Sequence, residues 1–457
     1  MYAAAKRAIK SVVPPAAWKR FYGRHYQSIR PLTVDYCPVR LPWMGRSRDP
    51  MARVHRLSTE FAYQGRRPIP TTLVRWLALG TWPFRLVSSM LEESRNHARA
   101  VHERLGITRF QQIRQMTSLA LTDNCTPVSY YRFRLYEPGN ARRASAYVHA
   151  DELDTLHDAL TWRLPSLEPL DDKHLFYEEG LRHRLPVAGL LAVFEGGDSL
   201  DGYTPPSTLP ACDLVLKPAR ELCGRGVERW RYMEQTRRWE REGQRHDASA
   251  LLAHCRNVSR EKKHVLQERL LNHEAIAMFA PNALATIRVV SYRRPCGEAG
   301  ILMSCLRMPT QGQSVDNFAA GGIAAPIDAS GILGPALAKD PTRGTFDRHP
   351  DSGAQISGAS VPCYAETLDL ALRAHAAFAW VPMVGWDIVI TPAGPMLLEA
   401  NPGWCVELAQ IVPNVPLGET SYPHLFLEHL EAQDTTFGRR AGPSSRTRHL
   451  DLAARLP

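Results

Sequence analysis

The run VPMVGWDIVITPAGPMLLEANP, residues 381–402, reads as two short apolar strands, GWDIVI and PMLLEA, joined by the turn-forming residues Thr391-Pro392-Ala393-Gly394. Asp387 interrupts the first strand, and Glu399 and Asn401 lie two apart at the end of the second. A hairpin closed around Ala393, with 392–394 as its loop, sets Asp387 opposite Glu399, with Cβ atoms about 4.5–5.5 Å apart. Glu399 and Asn401, at i and i+2, share a face. Two carboxylates and an amide oxygen then converge inside apolar strands, where unpaired charge is costly. A hard divalent cation neutralises such a set, because all three ligands are oxygens. A plainer arrangement is also open: one carboxylate pairs with an arginine and the other is protonated or exposed. A two-residue loop, moreover, shifts the register and separates the pair.

The helix ETLDLALRAHAAFAW (366–380) delivers the chain into this hairpin. Upstream, TIRVVSYRR (286–294) and GILMSCLRMP (300–309) are β-branched and apolar enough for an antiparallel pair, and each carries one buried-looking arginine, Arg288 and Arg307. A guanidinium fork there suits phosphate or carboxylate oxygens; a structural salt bridge is the alternative. The Gly-rich loop 312–334 follows, with Asp316-Asn317 and Gly321-Gly322 placed for substrate contact or for a plain loop cap. His349, in HPDSG, suits a base or a turn.

Further upstream, CDLVLKPA (212–219) ends in Lys217 and a loop bearing Gly224 and Gly226. The lysine can reach a phosphate and the glycines let backbone N–H groups approach one, although Walker spacing is absent. HVLQERL (264–270) is a second strand; its Glu268 suits a ribose hydroxyl or an adenine amine, or an ion pair with Arg269. Asp172-Lys173 opens a helix. VSYYRFRLY (128–136) alternates like a strand, 145–160 reads as strand then helix, and 232–263 as polar helix. Residues 1–115 read as a helical and basic extension, 116–205 as an α/β segment, 206–270 and 271–430 as two α+β lobes, and 431–457 as a polar tail.

With 457 residues, 44% hydrophobic and 22% charged, the chain has room for two or three domains and no apolar run long enough to span a bilayer. The net charge of +10 permits an acidic partner. No Asp or Glu precedes Asp35, whereas seven Lys and Arg do, so 1–30 reads as a segment lying on anionic lipid or as a solvated, partner-docking arm. No 7–15-residue apolar stretch of a signal peptide follows the first lysines. Nine scattered cysteines without a CxxC pair argue against disulfides and zinc and for a reducing cytoplasm; Cys212, Cys223, Cys305 and Cys405 read as buried thiols.

In this order, Asp172-Lys173, Lys217 with its glycine loop, Glu268, Arg288, DN…GG, and Asp387…Glu399-x-Asn401 resemble an ATP-grasp fold. The strings TIRVV, LRM…VDNFAAGGIAAPID, HPDSG and VGWDIVITPAGPMLLEANPG are most similar to the sugar-transfer-associated ATP-grasp family, related to the alpha-L-glutamate ligases. The resemblance covers about 115–415 and implies an α+β fold of two lobes clamping ATP, preceded by a helical extension. It implies that Lys173 and Lys217 hold the phosphates under the 220–226 loop, and that Glu268 and the Leu270 backbone, with Asn317 nearby, contact the nucleotide. It further implies that Arg288 and Arg307 stabilise the transferred phosphoryl group, and that Asp387, Glu399 and Asn401 hold Mg²⁺ or Mn²⁺. The implied activity is carboxylate–amine or carboxylate–thiol ligation through an acyl phosphate, releasing ADP, and the family's label points to cell-surface polysaccharide or peptide modification. The rivals are a phosphotransferase on a hydroxyl substrate and a non-catalytic, membrane-associated nucleotide-binding module; nucleic acid is not an expected partner. Two departures stand out: many ATP-grasp ligases carry Arg where this chain has Gly385, and ALAT (283–286) precedes Ile287 and Arg288 where relatives often have an Asn.

Overall fold

Nine consecutive residues, Met383–Thr391, are buried on both faces, and this strand lies inside one of two antiparallel sheets. The structure is a computed structural model and describes residues 37, 49–62, 70–221, 224–281, 283–313 and 316–438. Two compact units are present. One comprises Met1–Arg163, Asp340–Arg343 and Ala409–Pro457; the other comprises Leu164–Lys339 and Gly344–Leu408.

The first unit is helical. Its helices include α1 (Pro50–Phe61), α2 (Thr71–Leu105) and α3 (Arg109–Asp123). Asp49 caps α1, Gly106 ends α2 in the left-handed region at φ +70°, and Thr108 with Gln111 forms a reciprocal capping box on α3. The expected strand 128–136 is instead a short helix, Pro127–Arg132, because Pro127 occupies its first turn and Thr126 caps it. Tyr130 and Tyr131 are buried there among aromatic neighbours, so the alternation that suggested a strand is core packing on a helix. In 145–160 no strand forms; a 3₁₀ turn, Asn140–Ala146, precedes the helix Leu153–Thr161.

The second unit holds both sheets. The first is built from β1 (Ala192–Glu195), β2 (Asp198–Ser199), β3 (Leu214–Pro218), β4 (Glu228–Met233), β5 (Arg238–Arg241), β6 (Gln244–His246) and β7 (His264–Glu268), in the order β2-β1-β7-β3-β4-β5-β6. The polar stretch expected as one helix therefore contributes to three strands before the helix Ala248–Ser259 begins at its Asp247 cap. The left-handed residues Arg237, Glu242 and Gly243 make the tight turns between them. Trp230, Leu214, Leu216, Phe194 and Leu251 form this sheet's core.

The second sheet is built from β8 (Thr286–Arg293), β9 (Ala299–Met308), β10 (Ile323–Pro326), β11 (Ala336–Ala338), β12 (Thr345–Phe346), β13 (Met383–Thr391) and β14 (Gly394–Asn401), in the order β12-β11-β10-β9-β8-β13-β14. The helix Tyr364–Ala377 packs on it, and Trp386, Phe378 and Phe176 meet in its core. Trp386 donates its indole N–H to Ser291 at 2.7 Å, satisfying the one polar atom of a fully buried ring.

The hairpin β13–β14 brings Asp387 opposite Glu399, but not through the expected three-residue loop. Thr391 pairs with Gly394, which leaves Pro392-Ala393 as a two-residue loop. The register then shifts between Asp387 and Ile388: Ile388 faces Leu397, and Leu398 is the extra residue of a β-bulge. The bulge restores the pairing that a two-residue loop alone destroys.

Candidate functional site

Asp387 lies on β13 between β8 and β14, with Arg288 across one side and Glu399 across the other. A carboxylate in a fully buried strand needs donors, and it has them. Arg288 donates from Nε to Oδ1 at 2.6 Å and from Nη2 to Oδ2 at 3.1 Å. Arg307 Nη2 reaches Oδ2 at 3.0 Å and Asn401 Nδ2 reaches the same oxygen at 3.2 Å. Burial pushes Asp387 up, but the two guanidinium groups more than offset it and hold its carboxyl below the usual range. The third arm of Arg288, Nη1, donates to the Trp404 carbonyl at 3.3 Å.

Arg307 also donates to Thr286 Oγ1, from Nε at 3.0 Å and Nη2 at 2.7 Å, and to Asp316 at 3.3 Å. Asp316 in turn accepts from the Thr286 backbone N–H at 2.9 Å and from its hydroxyl. Burial raises the Asp316 carboxyl. The arginine-for-carboxylate arrangement set out as the plainer alternative is thus the one Asp387 adopts.

Glu399 is different: its carboxyl is raised, first by burial and then by the negative charge of Asp387. Lys173 Nζ stands 3.7 Å from Glu399 and donates to the Glu221 carbonyl at 3.0 Å. Lys217, buried at the end of β3, is pushed down to about 8 by desolvation and by neighbouring Lys173, against the opposing pull of Glu399. Lys173, Lys217, Glu399, Asp387, Arg288 and Arg307 therefore form one connected group of charges, with the neutral Asn401 amide hydrogen-bonded to Asp387.

Lys173 owes its place to Asp172. This fully buried acid caps the helix Lys173–Arg182 by accepting from His174 and Leu175 N–H, and it pairs with Arg220 and Lys263, each at 2.9 Å. The backbone N–H of Lys173 meets the Ala219 carbonyl at 3.0 Å, which ties the helix start to the end of β3.

Gly224 and Gly226 both take φ +70° in the loop from β3 to β4, and a Cβ on Gly226 would come within 3.0 Å of the Pro218 ring. Glu268 sits exposed at the end of β7, and Arg269 pairs with Asp213 rather than with it. Leu270 follows at half burial. Asn317 caps the 3₁₀ turn Phe318–Ala320 by accepting from Ala319 N–H at 3.0 Å. His349 is a buried turn residue: Nε2 bonds the Pro309 carbonyl at 2.8 Å, and Nδ1 faces the Asp351 and Ser352 N–H groups. Cys305 is buried as expected, whereas Cys405 is exposed at a left-handed φ of +59° beside Trp404. Lys263 and Thr286 belong to these networks without having stood out in the sequence, and Asp316, singled out there for substrate contact or a loop cap, is instead held by Thr286 and Arg307. Lys263 sits in the polar run REKK, which reads as a solvated face.

Residues 164–420 match the family described as Sugar-transfer associated ATP-grasp, more than half the chain, and the protein belongs to that family. Its fold is accordingly the α+β ATP-grasp fold, preceded by helices. No curated protein matches the sequence. Solved structures similar to it include an L-amino acid ligase from Bacillus licheniformis, at 12% identity and a TM-score of 0.33, covering 60% of this chain and 53% of that one. A D-alanine–D-alanine ligase from Bacillus anthracis matches at 11% and 0.32, covering 60% and 70%. An ADP complex of N5-carboxyaminoimidazole ribonucleotide synthetase matches at 13% and 0.30, covering 56% and 54%. The chain thus spans about half the length of the first and third of these.

Proposed function

We propose that this protein is an ATP- and Mg²⁺-dependent carboxylate–amine ligase that works through an acyl phosphate. The observation that carries the reading is the convergence of Lys173 and Lys217 with Glu399 beside the Asp387 pair. Two ammonium groups next to a carboxylate of raised pKa form a place where triphosphate oxygens and a divalent cation satisfy both signs of charge.

The oxygen-only donor set of Glu399, Asp387 and Asn401 suits Mg²⁺ or Mn²⁺. Glu399 is the ligand most in need of a cation, because Asp387 opposes its ionisation. Asn401 offers its carbonyl oxygen on rotation of the amide. Asp387 joins the set by giving up one donor, since its oxygens already accept four hydrogen bonds. Bound there, the cation would neutralise charge on the phosphates.

Lys173 and Lys217 would hold the phosphate oxygens, with the loop of Gly224 and Gly226 over them, and Glu268, Leu270 and Asn317 would meet the nucleoside. Arg307 suits the transferred phosphoryl group better than Arg288, because all three nitrogens of Arg288 are already engaged. A substrate carboxylate oxygen attacks the γ-phosphorus as the bond to the β-phosphate oxygen breaks and ADP leaves. The acceptor amine then attacks the acyl carbon, phosphate departs, and the amine nitrogen loses a proton. The protein's part is positioning and electrostatics. Placement in the cytoplasm and the family's association with sugar transfer, hence with surface polysaccharide or peptide, belong to the same proposal. The basic segment 1–30, outside the described residues, keeps both its sequence-based readings, an anionic-surface contact or a solvated, partner-docking arm.

ADP release measured against a panel of carboxylate and amine pairs tests the ligase. Release that requires both partners supports it; a stable phosphoester from a hydroxyl substrate gives the kinase instead. Glu399→Gln should abolish ATP turnover in either enzyme, and turnover unchanged in that variant would overturn the site.

A further inference from the structure

The first half of α2 is apolar on both sides. Val74, Ala78, Trp82, Leu86 and Met90 face the core of the helical unit. Leu73, Trp76, Leu77, Phe84, Val87 and Leu91 are exposed, Trp76 by 71% and Phe84 by 79%. At about 100° per residue, these six fall within an arc of roughly 100° on one side of the helix. An exposed apolar stripe of this continuity is unusual on a soluble surface and marks an interaction site.

Its charge decides what it meets. Between Glu60 and Glu92 there is no Asp or Glu, while Arg66, Arg67 and Arg75 fall in the same 31 residues (61–91); a fourth arginine there, Arg85, is buried on the core side and donates to the Ala78 carbonyl at 2.8 Å. The chain before Asp35 repeats the bias, with seven Lys and Arg and no acid. No described helix is long and apolar enough to cross a membrane. An in-plane amphipathic helix needs Trp, Phe and Leu on one side, basic residues nearby and no acids against anionic headgroups. Residues 71–91 supply the apolar side and the absence of acids, and Arg75, with Arg66 and Arg67 just upstream in the sequence, supplies the basic residues.

We infer that the exposed face of α2 docks on an anionic lipid bilayer, lying in the interface with Trp76 and Phe84 among the headgroups and upper acyl chains. The inference stands apart from the nucleotide site and does not depend on the basic segment 1–30. A second copy of the chain or another part of it covering the stripe is the competing occupant, and neither accounts for an acid-free stretch.

The test is co-sedimentation of the full chain with phosphatidylcholine vesicles, with and without about 30 mol % phosphatidylglycerol, at low and high salt. The wild type should partition to the anionic vesicles and lose at least about tenfold in high salt. Trp76→Glu with Phe84→Glu should cut partitioning at least about tenfold with helicity and ATP turnover unchanged. Should the double variant fail to fold, Phe84→Ser alone should still weaken binding. The inference falls if the wild type ignores anionic vesicles, or if the folded variants bind them as well as the wild type does. It falls equally if the stripe drives dimerisation in sedimentation analysis without lipid binding.

Discussion

Gly385 stands two residues before Asp387 on the same face of β13, where many ATP-grasp ligases carry an arginine. A Cβ built there would lie 2.8 Å from the Trp404 Cβ and 3.1 Å from the Arg288 Cδ. The space is filled by Trp404 and by the stem of Arg288, so an arginine delivered from the neighbouring strand takes part of the room the missing one leaves. Gly385→Ala should therefore displace the Arg288–Asp387 pair and destabilise the fold by about 1–3 kcal/mol, read as a lower urea midpoint at unchanged slope. An unchanged midpoint would show that the strand yields freely. Lys217 supplies the pH dependence. It titrates at about 8 in the fold against 10.5 for the free side chain, so between those values the unfolded chain binds more protons and stability rises with pH. Nucleotide binding runs the other way, because phosphate favours the ammonium. ATP affinity should be flat below pH 8 and fall above it, by at most about tenfold per unit. Lys217→Met should bind more weakly and lose that slope, and a wild-type affinity flat to pH 10 would remove Lys217 from the phosphate site.

At the level of elements, what could be read in the sequence was what a two- or 3.6-residue period encodes. The strands around 287, 303, 388 and 397 and the helix before the hairpin announced themselves by apolar pattern, and the order of Asp172-Lys173, Lys217, Glu268 and Asp387…Glu399-x-Asn401 pointed to a candidate site, of which Asp387, Glu399 and Asn401 lie on these strands. Periodicity could not show the bulge at Leu398, since one inserted residue leaves each strand's pattern intact and alters only the pairing. Nor could it find β4 to β6, whose outward positions are Arg, Glu and Gln and mimic a solvated helix. The engagement of Asp387 by two arginines depends on three strands meeting, which no local window contains. The start of the helix Lys173–Arg182 shows how an element sets the site. Asp172 caps it and neutralises Lys263 and Arg220. Asp172→Ala removes the cap and leaves Lys263 unpaired in a largely buried place, costing about 2–4 kcal/mol. Its effect on ATP should appear mainly in KM, since Lys173 keeps its charge but loses its anchor; a variant as stable as wild type would separate the cap from the network.

For the molecule as a whole, the charged group spans both sheets of one unit: Lys217 ends a strand of the first, while Glu399, Asp387 and the arginines belong to the second. A nucleotide held by both sets would bind only the folded unit and so raise its unfolding temperature. At a hundred times Kd the added stability is about 2.7 kcal/mol, and for a unit of this size that is roughly 5–10 °C. The cation should be required for most of it, because without one the triphosphate meets Glu399 and Asp387 as like charges. Thermal unfolding with a non-hydrolysable ATP analogue should therefore shift upward in Mg²⁺ and much less in excess EDTA. Glu399→Gln separates the two roles of that carboxylate. Removing its charge relieves the repulsion from Asp387, so the ligand-free variant should unfold no lower than wild type, while losing the Mg²⁺-dependent part of the shift. Equal shifts in Mg²⁺ and EDTA, or a variant that retains the whole Mg²⁺ effect, would place the cation elsewhere.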